Sequence, residues 1–255
     1  MLKKRIIPVQ LLLNKRLVKT KKFDSFIDVG NPVRSSKIYN DSDADELIIL
    51  NIDRKDRNIK ALIDVLEDVS KVCFMPLSLG GGIKSLKDIE LLFRNGADKI
   101  ILNSSVFNNY ELLNKASIEF GRQSIVVSMD AMYNNIEHQY NLFSNCGKKR
   151  ELTSLPDHLK KCEEYGAGEF FINSIDNDGI MNGYDENLIS LVTNISDLPV
   201  IVCGGVGNYG HMKDAFKKFD VSAVACGSLF NFGDNNPIRA KSFLKNYDIN
   251  FKIIK

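Results

Sequence analysis

The stretch SLGGGIKSLKDIELLF (78–93) is echoed further along the chain by VCGGVGNYGHMKDAF (202–216). In each copy a short apolar run ends in glycines and passes directly into a segment whose apolar positions recur every three to four residues. That is the join between a buried strand and an outer helix. A second pair, NSSVF (103–107) and CGSLF (226–230), follows each copy. Gly81 and Gly204 are 123 residues apart (204 − 81), and Ser104 and Ser228 are 124 apart (228 − 104). A nearly constant offset is the mark of a duplicated half. Two equivalent halves present equivalent sites on opposite sides of a common mouth, which suits a ligand carrying an anion at each end.

Working outward, the same strand, loop and helix unit recurs eight times. Strands are predicted at 5–12, 46–52, 74–79, 99–103, 124–130, 169–175, 200–203 and 223–226. Amphipathic stretches between them include 59–69, 85–94, 112–120, 156–165 and 209–219. Eight parallel strands with outer helices close most economically as a (β/α)8 barrel, and 255 residues suit one such domain over 1–255. The runner-up, an open doubly wound sheet, would carry GxGxxG after its first strand, and that fingerprint is absent.

Composition narrows the partners. Thirty-four Lys and Arg against 32 Asp and Glu leave no broad basic field for nucleic acid. No apolar stretch reaches membrane-spanning length, and the start MLKKRIIPVQLLLNKR reads as a first strand, because Gln10 interrupts it and no small-residue cleavage site follows. Cys73, Cys146, Cys162, Cys203 and Cys226 form no CxxC pair and read as reduced, buried thiols of a cytoplasmic protein. His138, His158 and His211 show no ligand spacing and are expected at the surface; no metal motif is recognisable.

The glycines after the third and seventh strands carry the chemistry. Gly80, Gly81 and Gly82, and likewise Gly204, Gly205 and Gly207, stand where backbone N–H groups can close on a phosphate. Asn103 and Ser104, and Gly227 and Ser228, add donors at the next helix starts, while Asp178 and Gly179 after the sixth strand would close the second cradle. Any one of these glycines alone reads as a tight turn. Their repetition at one offset favours an anion site in each half.

The segments KRIIPVQ, RLVK, NPVRSSKIY, DELIIL, LGGGI, GADKIILN, VVSMDA, GAGEFFINSIDNDG, NGYD and LPVIVCGGVG together resemble the cyclase subunit family of imidazole glycerol phosphate synthase, over nearly the whole chain. The resemblance implies a barrel that receives ammonia from a glutaminase subunit docked at its N-terminal face and forms an imidazole ring at its C-terminal mouth. It assigns Asp130 to general acid–base catalysis and Lys19 to substrate contact, although Lys19, Lys21 and Lys22 read equally well as a solvated loop. Asp130 taken alone reads as a loop cap. The resemblance also implies an ammonia gate on the barrel floor, built from Arg5, Glu46, Lys99 and Glu169.

Three positions depart from the family. Its first-strand catalytic aspartate is replaced by Leu11, which carries no proton; Gln10 next door belongs to the opposite pleat. Asn51 replaces an aspartate at the end of the second strand, and Ile180 replaces a small hydroxyl residue. A retained ammonia entrance with half of the acid–base pair missing suggests a different acceptor. The sequence is similar to a divergent branch of the family that converts the N-acetyl group of a nucleotide sugar to an acetamidino group in surface-polysaccharide pathways, with ATP or a similar activator and no bound cofactor. The alternatives are an authentic histidine-pathway cyclase and a silent conduit that activates the glutaminase and passes ammonia on. A phosphosugar isomerase is disfavoured, because that chemistry also wants the first-strand aspartate.

Overall fold

A computed structural model describes residues 3–55 and 58–251. Eight parallel strands form a closed barrel: β1 (Arg5–Leu13), β2 (Leu47–Asn51), β3 (Leu77–Gly80), β4 (Lys99–Leu102), β5 (Ile125–Asn134), β6 (Glu169–Ser174), β7 (Val200–Cys203) and β8 (Ala223–Cys226). Each pairs with its sequence neighbour, β5 with β6 through Asp130 opposite Asn173, and β1 pairs with β8 to close the ring. The strands read as apolar runs because both faces are covered.

Helices alternate with them: α1 (Pro32–Asp41), α2 (Lys60–Val69), α3 (Leu86–Arg94), α4 (Ser104–Asn108), α5 (Tyr110–Phe120), α6 (Leu155–Glu164), α7 (Glu186–Ile195), α8 (Tyr209–Lys218), α9 (Ser228–Asn231) and α10 (Pro237–Lys245). Most long helices start at a side-chain cap, as at Asn31, Ser85, Ser154, Asp185, Asn208 and Asn236. Among the described residues no helix is long and apolar enough to cross a membrane.

Strand alternation divides the interior into two cores. Ile6, Leu12, Leu47 and Phe170 face the helices, whereas Ile7, Val9, Ile48, Ile101, Val126, Phe171 and Ile201 fill the barrel. Burying a side chain such as Phe171 contributes about 2–3 kcal/mol. Along β1 the inward residues run Arg5, Ile7, Val9, Leu11, and along β5 Val126, Ser128, Asp130, so the barrel is layered from floor to mouth.

Several sequence expectations need correction. The third strand begins at Leu77, not at 74, because Phe74 swings out to 83% exposure and its N–H is held by Asn40 Oδ1. The fifth strand runs past Asp130 to Asn134, extended by an antiparallel hairpin with the strand Gln139–Ser144. Lys19 lies in a strand, Arg16–Lys21, that folds back on β1 and pairs with Ser25–Gly30; it is not on a loop. His158 is not at the surface. It is fully buried, stacked on Phe107 with its Nδ1 2.6 Å from the Tyr110 hydroxyl, and burial lowers its pKa to about 4, so it stays neutral. None of the five cysteines is in a disulfide; Cys73, Cys162 and Cys226 are buried and Cys146 and Cys203 half-buried.

Candidate active site

At the C-terminal ends of the strands lies a cavity of about 810 Å3, within the usual range for small-molecule sites. It brings together Asp130, Lys19, Gly81, Gly82, Asn103, Ser104, Asp178, Gly179, Gly204, Gly205, Gly227 and Ser228, twelve residues drawn from all parts of the chain.

The two glycine turns are superposable in kind. Gly81 and Gly82 have φ of 93° and 82°, and Gly204 and Gly205 have 92° and 103°, a region that L side chains rarely enter. A Cβ on Gly81 would collide with the Asn51 carbonyl, and one on Gly204 would stand 2.7 Å from the Ser174 carbonyl. Asn51 and Ser174 are themselves 123 apart (174 − 51), so the close approach is duplicated together with the glycines. Both turns run into helices, α3 and α8, which start at the mouth end of the barrel from the caps Ser85 and Asn208.

The other cradle residues are partly engaged. Ser104 Oγ accepts the Asn145 N–H at 3.0 Å. Asp178 accepts from Thr20 Oγ1 at 2.6 Å and from the Phe23 N–H at 3.2 Å, and a Cβ on Gly179 would strike the Thr20 carbonyl. The Asp178–Gly179 pair therefore grips the hairpin that follows β1 as much as it borders the second cradle. Lys19 emerges from that hairpin, and a side chain on Gly227 would meet its amine. Lys19 Nζ donates to the Val9 carbonyl at 2.6 Å, and burial lowers its pKa to about 8.

Asp130 points into the cavity from β5 and accepts from Asn103 Nδ2 at 2.9 Å. Burial, reinforced by the Asp178 charge, raises its pKa to about 7, where a carboxyl can both take and give a proton. Leu11 holds on β1 the inward place that Asp130 holds on β5 and, like Leu50 and Cys203, packs against the core that fills the barrel. Gln10 faces away and donates to the Pro32 carbonyl and Ser36 Oγ. Burial pushes the Cys203 thiol up to about 12, so it is no nucleophile at neutral pH. Asn173, which sequence reasoning did not single out, faces the cavity beside Asp130, and its Oδ1, like that of Asn103, is buried without a partner. Two orphaned acceptors call for N–H or O–H donors on a ligand. Nothing in the local sequence INS (172–174) marks Asn173 as different from any strand-end amide.

At the opposite end the four floor residues meet. Arg5 Nη1 is 2.8 Å from Glu46 Oε2, Lys99 Nζ lies 3.1 Å from Glu46 and 2.8 Å from Glu169, and Arg5 Nη2 also pairs with Glu169. Ser78 Oγ donates to Glu46 at 2.5 Å. Burial opposes the charges of Arg5 and Glu169, but the pairing prevails: Arg5 is raised and Glu169 lowered in pKa.

The model of a family described as histidine biosynthesis protein matches residues 5–236. The chain is 35% identical over 252 residues to the imidazole glycerol phosphate synthase subunit HisF of Staphylococcus carnosus, covering 99% of each chain. It is 34% identical over 252 residues to the protein of that name from Bacillus subtilis, covering 99% of this chain and 100% of the relative. For the Staphylococcus epidermidis protein of the same name the identity is 38% over 231 residues, 91% of this chain and 92% of the relative.

Proposed function

The chain belongs to the histidine biosynthesis protein family, and from that premise we propose that it is the ammonia-using synthase subunit of a glutaminase-coupled pair, acting on an anionic acceptor at its C-terminal mouth. The observation that carries this reading is the stacking of three layers along one axis: paired charges at the floor, an apolar middle, and a mouth that sets two glycine cradles around a carboxyl tuned to about 7. Ammonia enters past Arg5, Glu46, Lys99 and Glu169 from a glutaminase on the N-terminal face. The cradles hold phosphate, Lys19 supplies a cation beside the second one, and Asp130 moves the proton at the attacking nitrogen.

Two acceptors fit this frame. The relatives' names favour the histidine-pathway cyclase substrate, with Asp130 alone doing work that the family divides between two aspartates. Leu11 favours the other, the N-acetyl group of a nucleotide sugar, whose amide oxygen is activated by ATP or a similar cosubstrate and replaced by ammonia to give an acetamidino group. A general acid or base typically supplies about 10²–10⁴-fold, and an apolar side chain at that point withholds one of the two. The purified chain, given ammonia and each acceptor in turn, decides between them by mass spectrometry of the products. Rapid imidazole formation restores the histidine reading and removes Leu11 as an argument; amidation of the sugar with slow or no cyclisation establishes the other. Inertness toward both, with retained stimulation of a glutaminase, leaves the chain a conduit and refutes catalysis at Asp130.

A further inference from the structure

The internal repeat carries one more correspondence. In the first half, the turn after the glycines is fastened by Asp88: its Oδ2 accepts the Lys84 N–H at 2.8 Å and the Ser85 N–H at 2.9 Å, while Ser85 Oγ accepts the Asp88 N–H. Adding the repeat offset of 123 to 84, 85 and 88 gives Gly207, Asn208 and His211. There the Gly207 N–H donates to His211 Nδ1 at 3.1 Å, and Asn208 Oδ1 accepts the His211 N–H at 3.1 Å. A backbone N–H can only donate, so Nδ1 serves as an acceptor in place of the carboxylate oxygen.

The second turn is also pinned from its other side. The Gly183 N–H donates to the Gly205 carbonyl at 2.7 Å, and neither Gly205 nor Gly207 has room for a Cβ against the 181–183 segment. The His211 ring stands 3.9 Å from where a Gly183 side chain would begin. His211 thus holds the 204–207 turn by a hydrogen bond and faces the 181–183 segment across a small pocket that both line. A small polar pocket lined by Asn182, Gly183, Glu186 and Asp214 opens beside the ring, so the histidine fills no apolar core whose loss would unfold the barrel.

We propose that His211 is a positioning residue of the second anion cradle, holding the 204–207 turn in its phosphate-ready shape as Asp88 holds the 81–85 turn. It touches no substrate itself. The inference rests on the cradle reading above and adds to it the element that keeps the second cradle formed.

The test is a calorimetric titration of the full-length protein with inorganic phosphate, comparing wild type, His211→Ala and His211→Asn. Asn places Oδ1 close to the position of Nδ1, so it restores the acceptor without the ring. Losing a hydrogen bond that fixes a binding backbone is expected to weaken one of two phosphate equivalents about tenfold in His211→Ala, with the other equivalent unchanged. His211→Asn is expected to recover most of that loss, which a merely bulky or stabilising ring would not allow. Equal binding by wild type and His211→Ala overturns the assignment, as does an Asn variant no better than Ala or a weakening of both equivalents together. No phosphate binding by the wild type refutes the cradles themselves, and the role of His211 falls with them.

Discussion

Asp130→Asn is the perturbation whose size the structure fixes best. The Asp130 carboxyl is raised from 3.8 to about 7, first by burial and then by the Asp178 charge. The folded protein therefore keeps a proton that the unfolded chain has already released. Stability from this group is fully present below about pH 4 and is lost as pH climbs toward 7. A rise of about three units at ~1.4 kcal/mol each is worth about 4 kcal/mol at pH 8, an upper figure for the strain of holding the charge. Asparagine has nearly the same shape and no charge, so the variant should gain up to that amount at pH 8 and almost nothing at pH 4. For a chain of this size the gain corresponds to roughly 10 °C in melting temperature. Urea unfolding of both proteins at several pH values measures it, and synthase turnover in the same samples should fall about 10²–10⁴-fold. A stability difference that does not change between pH 4 and pH 8 would refute the reasoning, whatever happened to activity.

Three other outcomes follow from the geometry. Gly81→Ala forces a side chain into left-handed backbone against the Asn51 carbonyl; it should cost at least about 1–2 kcal/mol and remove one phosphate equivalent, read by thermal unfolding with and without phosphate. Lys19→Met removes a cation whose pKa lies near 8; because wild-type Lys19 loses its charge as pH rises through that value, affinity for the anionic substrate should decline above pH 8 in the wild type and show a higher, flatter KM profile in the variant. Lys99→Ala should leave the barrel folded, since Arg5 still contacts Glu46 and Glu169, yet raise the share of glutamine-derived ammonia that escapes to solvent, measured by trapping free ammonia during coupled turnover.

The barrel was legible because strands buried on both faces must be apolar throughout, as in Phe170 to Ile172 or Val200 to Val202, and because the glycine turns repeat at one offset. The mouth residues were legible for the same reason, since a strand end followed by glycine has one place to go in this fold. What escaped was set by contacts distant in sequence. Lys19 reads as a loop lysine until the hairpin folds it under Gly227, and His158 reads as polar until Phe107 and Tyr110 close over it. Asp178 carries no sign of its bonds to Thr20 and Phe23. His211 looked like a surface histidine, and only the register of the repeat against Asp88 shows what its ring replaces.

Each acid of the floor is gripped from two directions, and the same two bases do the gripping. If the lysine arm rotates aside, neither carboxylate is stranded, for the guanidinium fork keeps hold of both. If ammonia enters here, as proposed, the doorway can open by a single side-chain rotation while the backbone stays in place. Lys99 is only partly exposed and doubly paired, so its rotation is slower than the picoseconds to nanoseconds of a free surface rotamer, but it asks one side chain to move where enzymes commonly turn over in milliseconds or more. Traffic through such an entrance would keep ahead of the chemistry it feeds.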